Sequence, residues 1–160
     1  MENDKTLSHI DENKNAHMVN VGEKQPTHRE AVASGIIILD KATIEAIAED
    51  KVEKGSVLVT ATVAGINAAK NTSNLIPLCH NIPLENVQIV FEYMDNAIKV
   101  IATVKTFAKT GVEMEALTAV STTCLTIYDM VKSIDKKAVI TDIKLVYKSG
   151  GKSGTFERKN

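Results

Sequence analysis

A run of thirteen residues without any charge, ALTAVSTTCLTIY (116–128), most constrains the fold of this 160-residue chain. If the run and the residues after it form a helix, six apolar side chains fall within about 60° of one line along its surface. We call them the core stripe: Leu117, Val120, Cys124, Ile127, Val131 and Ile134. A helix with one face in water normally carries Lys and Glu there, and one without them is usually buried all round. Because so short a domain cannot cover both sides, the run predicts an oligomer with this helix at the interface.

An aspartate and a lysine end this run, since TIYDMVK (126–132) places Asp129 and Lys132 three positions apart. Both lie on the side of the helix away from the core stripe. One interpretation is a solvated ion pair that contributes a few tenths of a kcal/mol. The other is an acid/base pair at the interface or in a cleft beside it, where mutual charge and loss of water shift both pKa values.

The rest of the chain predicts the order strand, helices, strand, strand, helix, strand. The predicted elements are a strand at 30–39, a helix capped by Asp40, a helix within 54–71, strands at 86–94 and 97–107 joined by a turn, a helix at 112–134 and a strand at 138–147. This order is that of an α+β, ferredoxin-like split β-α-β fold, with an antiparallel four-stranded sheet and helices on one face. We expect one catalytic domain over 16–154, between disordered tails at 1–15 and 155–160.

Charge and composition exclude several classes of protein. The net charge of −1 argues against a general nucleic-acid or membrane-surface binder. No apolar run approaches the roughly 20 residues that a membrane span needs, and the polar N-terminus does not resemble a signal peptide. Two cysteines without a CxxC pattern and four histidines without metal-ligand spacing predict free thiols, no metal site and a cytoplasmic location.

Two short segments carry side chains suited to a ligand. KTGVEME (109–115) puts Glu113 and Glu115 in the first turn of the uncharged helix. One interpretation is that these acids only stabilise the helix N-terminus through the helix dipole. The other is that they accept hydrogen bonds from the amine and amide edge of a purine-like base. PLCH (77–80) presents His80 in a loop, either for a phosphate contact or proton transfer or as a structural histidine.

Basic residues suggest an anionic ligand. In KSGGKSG (148–154), glycines allow backbone N–H groups to approach an anion that Lys148 and Lys152 would neutralise. A disordered basic tail is the alternative, and the spacing is not that of a Walker loop. Arg29 adds a guanidinium that can bind phosphate in a bidentate manner. With Lys54, Lys70 and Lys132, these cations suit a polyphosphorylated small molecule.

The motifs LIPLCH, KTGVEMEALTAVS, LTIYDMVK and KSGGKSG, in this order, resemble the cyclic pyranopterin monophosphate synthase family, also called molybdenum cofactor biosynthesis protein C. HMVNVGEK near the N-terminus fits the same family, and the resemblance covers about residues 16–154. It implies a lyase that converts 3′,8-cyclised dihydro-GTP to cyclic pyranopterin monophosphate and releases pyrophosphate. It also implies no redox cofactor, leaves Mg²⁺ beside the triphosphate open, and implies a homohexamer built as a trimer of dimers with sites shared between subunits.

The resemblance also implies roles for individual residues. Asp129 and Lys132 match the family's catalytic aspartate and its partner lysine. Substrate-contacting segments match Leu78, Cys79, His80, Met114 and Glu115, and substrate or phosphate binding is implied for His17, Arg29, Lys54, Lys70, Lys148 and Lys152. Two positions depart from the family pattern, Asn20 in place of aspartate and Asn81 in place of proline. A catalytically silent ferredoxin-like module for nucleotide binding or oligomerisation is the alternative function.

Overall fold

A computed structural model describes residues 14–159 of the chain. The predicted N-terminal tail, 1–15, lies outside this range except for its last two residues. The elements in chain order are β1 (Thr27–Ile38), α1 (Lys41–Ala48), α2 (Val57–Lys70), α3 (Thr72–Leu75), β2 (Asn86–Met94), β3 (Ala97–Ala108), α4 (Glu113–Val131), β4 (Val139–Ser149) and β5 (Phe156–Glu157). Every predicted element is present, and the boundaries differ by a few residues.

The five strands form one antiparallel sheet in the order β2-β3-β1-β4-β5. Helices α2 and α4 pack against it, which confirms the α+β ferredoxin-like fold. The prediction of four strands is wrong by one, because β5 pairs with Tyr147 and Lys148 at the sheet edge. Gly150 and Gly151 have φ values of +93° and +74°, which L side chains rarely adopt, and they turn the chain back onto β4. The segment predicted as a C-terminal tail therefore contains a strand.

The predicted core stripe of α4 is buried over most of its length. Val120, Cys124, Ile127 and Val131 are fully buried, between α4 and the sheet. Ile134 is 57% exposed, so its assignment to the stripe is wrong. The helix ends at Val131, and beyond that residue the helical spacing no longer decides which side chains face the core.

A second side of α4 is covered by α2 of the same chain. The two helices approach closely at Gly65, where an added Cβ would overlap Oγ1 of Thr123 and press on the carbonyl of Ala119. The premise that a chain this short cannot cover two sides of the helix is therefore wrong. One face does stay open, and its uncharged residues include Leu125, which is 59% exposed. No helix within residues 14–159 has both the length and the apolar character needed to cross a membrane.

Candidate active site

The loop that follows α3 meets the first turn of α4 and forms a cavity of about 370 Å³. Gly111 lies at the entry to the helix and allows Glu113 to fold back against the backbone. The lining side chains come from three segments that the sequence separates widely: Val19, Val21, Lys24, Leu78, Cys79, His80, Thr110, Glu113, Met114 and Glu115. The fold thus brings together the two segments, 78–80 and 113–115, for which the family resemblance implies contact with the substrate.

The segment before β1 is tied across this cavity by side chains of the site. Nε2 of His80 lies 2.7 Å from the carbonyl oxygen of Val19 and therefore donates a hydrogen bond to it. Nζ of Lys109 donates to the carbonyl of Gly22 at 2.6 Å. Asn20 accepts a hydrogen bond from the Gly22 N–H at 2.8 Å, a contact that an aspartate side chain makes equally well. The departure at Asn20 therefore leaves this turn intact.

Partial or full burial shifts the pKa values of two titratable groups of the cavity. Glu115 is only 5% exposed, and burial is the main cause that raises the pKa of its carboxyl group, with a smaller contribution from the charge of Glu113. Burial, followed by the charge of Glu115, raises the pKa of the Cys79 thiol. Cys79 is therefore a poor thiolate nucleophile in this chain, and a role in packing or in contacting a ligand suits it better.

A second cavity of about 290 Å³ adjoins the first and is lined by four cations. Arg29 and Lys152 were predicted as phosphate ligands, whereas Lys24 and Lys109 were not singled out in the sequence. Nε of Arg29 is buried and has no hydrogen-bond partner among residues 14–159. The four side chains face only Glu113 as an acidic counterpart in the cavity lining. We call this cluster, Lys24, Arg29, Lys109 and Lys152, the cation cradle.

The other end of α4 carries the predicted acid/base pair. Nζ of Lys132 lies 2.7 Å from Oδ1 of Asp129, and Nζ of Lys54 lies 3.1 Å from its Oδ2. Lys54 also donates to the backbone carbonyl of Asp129 at 2.7 Å. Lys54 was predicted to bind the substrate, and in the structure its ammonium group contacts Asp129.

Within one chain this pair is open to water. The side chains of Asp129 and Lys132 are 58% and 53% exposed. The hydrogen bond from Lys132, and then the one from Lys54, lower the pKa of Asp129. The same bond to Asp129 raises the pKa of Lys132. Both shifts favour the charged forms, whereas an acid/base pair near neutral pH needs the opposite direction.

The two ends of α4 are far apart. Glu115 and Asp129 are separated by fourteen residues of helix, which correspond to about 21 Å at 1.5 Å per residue. A single chain therefore cannot bring both groups to the same reacting atoms.

Three residues that were predicted to bind the substrate lie outside these clusters. Lys70 lines a separate groove beside β2, with Ile66 and Glu85 among its neighbours. His17 is exposed and does not line either cavity at the start of α4. Lys148 donates a short hydrogen bond to Ser153, within the turn that leads to β5. In the part of the chain that the structure describes, no group of three His, Cys, Asp or Glu side chains is placed to hold a metal ion.

The chain matches a known protein family over a region that includes both ends of α4. The model of the MoaC family matches residues 18–151. The chain belongs to the MoaC family. Among similar proteins, one from Clostridium acetobutylicum is 54% identical over 154 residues, which are 95% of this chain and 96% of that protein. One from Thermoanaerobacter pseudethanolicus is 53% identical over 155 residues, 96% of this chain and 98% of its own.

A third relative, from Streptomyces griseus, is 51% identical over 152 residues and covers 95% of this chain and 86% of its own. All three relatives are named cyclic pyranopterin monophosphate synthase. The family match includes His80, Glu115, Asp129 and Lys132, whereas Lys152 of the cation cradle falls one residue beyond it.

Proposed function

We propose that this chain is an enzyme with the activity of its relatives, cyclic pyranopterin monophosphate synthesis in the formation of the molybdenum cofactor. The substrate is 3′,8-cyclised dihydro-GTP, and the products are cyclic pyranopterin monophosphate and pyrophosphate. One observation carries the proposal: a cavity with hydrogen-bonding groups for a purine-derived base adjoins a cradle of four cations. A guanine-derived triphosphate needs both features side by side.

The cavity at the start of α4 suits the base of such a substrate. The Glu115 carboxylate is an acceptor for the amine and amide N–H groups of a guanine-derived ring, and Glu113 lies beside it. Leu78, Cys79 and Met114 supply the apolar surface, and His80 has its Nε2 proton committed to Val19. Its Nδ1 is then free to accept a hydrogen bond or a proton from the ligand.

The cation cradle suits the triphosphate. Guanidinium and ammonium groups form short, charge-assisted hydrogen bonds with phosphate oxygens. As pyrophosphate departs, negative charge grows on the leaving oxygens, and preorganised cations stabilise that charge. The unpartnered Nε of Arg29 points to a group that finds its hydrogen bond only when an anion is present.

Asp129 and Lys132 perform the proton transfers in this proposal, and they reach the substrate from a second copy of the chain. The separation of about 21 Å along α4 excludes their action on a base bound at Glu115 of the same chain. The uncharged open face of α4 offers the contact surface for that second copy. Covering it would take water from the ion pair, and desolvation raises the pKa of an aspartate and lowers that of a lysine, the direction that catalysis needs. A hexamer built as a trimer of dimers meets this requirement.

The test is to incubate the purified protein with 3′,8-cyclised dihydro-GTP and to measure pyrophosphate and the pterin product. Asp129→Asn and Lys132→Ala should each lower product formation by roughly 10²- to 10⁴-fold, the usual contribution of a general acid or base. Sedimentation should show that both variants keep the assembly of the unaltered protein. A silent binding module, in contrast, gives no product with the unaltered chain, and full turnover by Asp129→Asn would exclude the proposed role of that residue.

A further inference from the structure

A depression of about 430 Å³ lies beside the acid/base pair at the end of α4. Its lining consists of Lys54, Tyr128, Lys132, Ser133 and Lys136. We propose that Lys136, with the hydroxyl groups of Tyr128 and Ser133, forms a phosphate-binding subsite next to Asp129 and Lys132. This inference rests on the proposed function for the identity of the substrate, and it adds three residues that the sequence motifs did not single out.

The charge balance of the depression favours an anion. Lys54 and Lys132 share one carboxylate, that of Asp129, so two positive charges are offset by one negative charge. Lys136 is exposed, and its side chain forms no hydrogen bond or ion pair within residues 14–159. The depression therefore carries three ammonium groups against one carboxylate, and the ammonium group of Lys136 is the one without a protein partner.

The backbone around Lys136 is anchored by a buried side chain. Asp135 is only 3% exposed, and both of its carboxylate oxygens accept hydrogen bonds. Oδ2 accepts from the Asp40 N–H at 2.8 Å, and Oδ1 accepts from the Lys137 N–H at 3.2 Å. The Asp135 N–H in turn donates to the carbonyl of Val131 at 2.9 Å. The residues on both sides of Lys136 are thus held in place, which lowers the entropy that binding would cost.

The chemistry of the lining identifies the ligand class as phosphate. Lysine ammonium groups and the hydroxyls of Tyr128 and Ser133 are all hydrogen-bond donors, as the oxygens of a phosphate require. The substrate brings three phosphate groups, of which one stays in the product and two leave as pyrophosphate. Because the subsite borders Lys132, it takes a phosphate close to the reacting atoms, whereas the cation cradle takes phosphates at the other end of the shared site.

Steady-state kinetics on Lys136→Ala tests the subsite, with Lys137→Ala as the matched control. Lys137 follows in the same turn, its backbone contact to Asp135 survives the substitution, and its side chain lies outside the depression. Lys136→Ala should raise KM roughly tenfold with kcat nearly unchanged, the signature of lost ground-state binding. Lys137→Ala should keep the KM of the unaltered protein, and Lys136→Arg should restore part of the loss.

Product inhibition by pyrophosphate separates the two sources of phosphate. If Lys136→Ala weakens inhibition by pyrophosphate as much as it raises KM, the subsite holds a departing phosphate, and if inhibition is unchanged it holds the retained one. Equal KM values for Lys136→Ala and Lys137→Ala would overturn the inference. Should the unaltered protein show no turnover, the proposed function fails instead, and calorimetry with GTP, which carries three phosphates, still decides whether binding depends on Lys136.

Discussion

The two ends of α4 differ in how far a single chain completes them. At the first turn, three segments of the same chain enclose Glu115, and burial raises the pKa of its carboxyl group. At the last turn, Asp129 and Lys132 stand in water, and their pairing moves both pKa values toward the charged forms. One end is thus an enclosed cavity, and the other is an ion pair without an enclosure.

This difference indicates what the chain lacks by itself. Acid/base catalysis near neutral pH needs groups whose protonation is finely balanced, and a half-exposed ion pair does not provide that balance. The open face of α4, with Leu125 and no charge between Ala116 and Tyr128, leads from one end to the other. A second copy packed on this face would both enclose the pair and bring it to the cavity of its neighbour.

Subunit mixing gives the largest expected effect. His80→Ala damages the enclosed end and Asp129→Asn damages the open end, so each variant alone should be nearly inactive. If the two ends come from different chains, unfolding and refolding the variants together creates sites in which both ends are intact. For a twofold interface, a statistical mixture should recover roughly a quarter of the activity of the unaltered protein. Pyrophosphate release from the mixture is the measurement.

The control for mixing is the double variant His80→Ala with Asp129→Asn, refolded with the unaltered protein. If the site is shared, each site of a mixed pair combines one intact end with one damaged end, so the mixed pairs are inactive. The activity then comes only from pairs of unaltered chains and falls as the double variant dilutes them. A mixture of the two single variants that stays as inactive as its components would show that one chain supplies both ends, which contradicts the shared site.

A charge on the open face of α4 gives the next largest effect. Leu125→Glu places a carboxylate where the proposed interface is apolar, and a buried unpaired charge is strongly unfavourable. We expect sedimentation to show dissociation and product formation to fall with it, while the fold of the separate chains survives because Leu125 is 59% exposed. Leu125→Met keeps the apolar character and should keep the assembly. An intact assembly in Leu125→Glu would place the interface elsewhere.

The local pattern of the sequence predicts the elements but not where they end or touch. Helical spacing identified Val120, Cys124 and Ile127 as core residues because that signal depends only on neighbouring positions. It failed at Ile134, since the helix stops at Val131 and the following turn is anchored by the contact of Asp135 with Asp40, 95 residues away. Nothing near residue 134 reports a partner at that distance.

The site shows the same limit. The segments 78–80 and 113–115 were singled out separately, from their side-chain chemistry and the family resemblance, and the fold brings them together at one cavity. Lys24 and Lys109 were missed, because their place in the cation cradle depends on a long-range contact. Lys109 donates a hydrogen bond to the carbonyl of Gly22, which lies 87 residues away in the sequence. The one available signal was the position of Lys109 just before Gly111, at the entry to the helix. Lys70, in contrast, lines a separate groove of the chain, and its assignment to the substrate stays a prediction.

The smallest expected effect concerns the enclosed end alone and appears as a pH dependence of stability. Burial raises the pKa of Glu115 in the folded chain above its value in the unfolded chain, so ionised Glu115 weakens the fold. The stability that Glu115 contributes is present below the ordinary carboxyl pKa of about 4.3 and is lost as pH rises through the folded-state value. Glu115→Gln should therefore be more stable than the unaltered protein at neutral pH, and the advantage should disappear in acid.

Urea denaturation at a series of pH values measures this difference, and Glu113→Gln controls for the charge that both acids contribute to the first turn of α4. Glu113 is less buried than Glu115, so its replacement should change stability less. The opposite result would be a Glu115→Gln protein that is less stable than the unaltered chain at neutral pH. It would mean that a cation compensates the charge of the buried carboxylate. Lys24 of the cradle lines the same cavity as Glu115, and the enclosed end would then resemble the charge-paired open end rather than contrast with it.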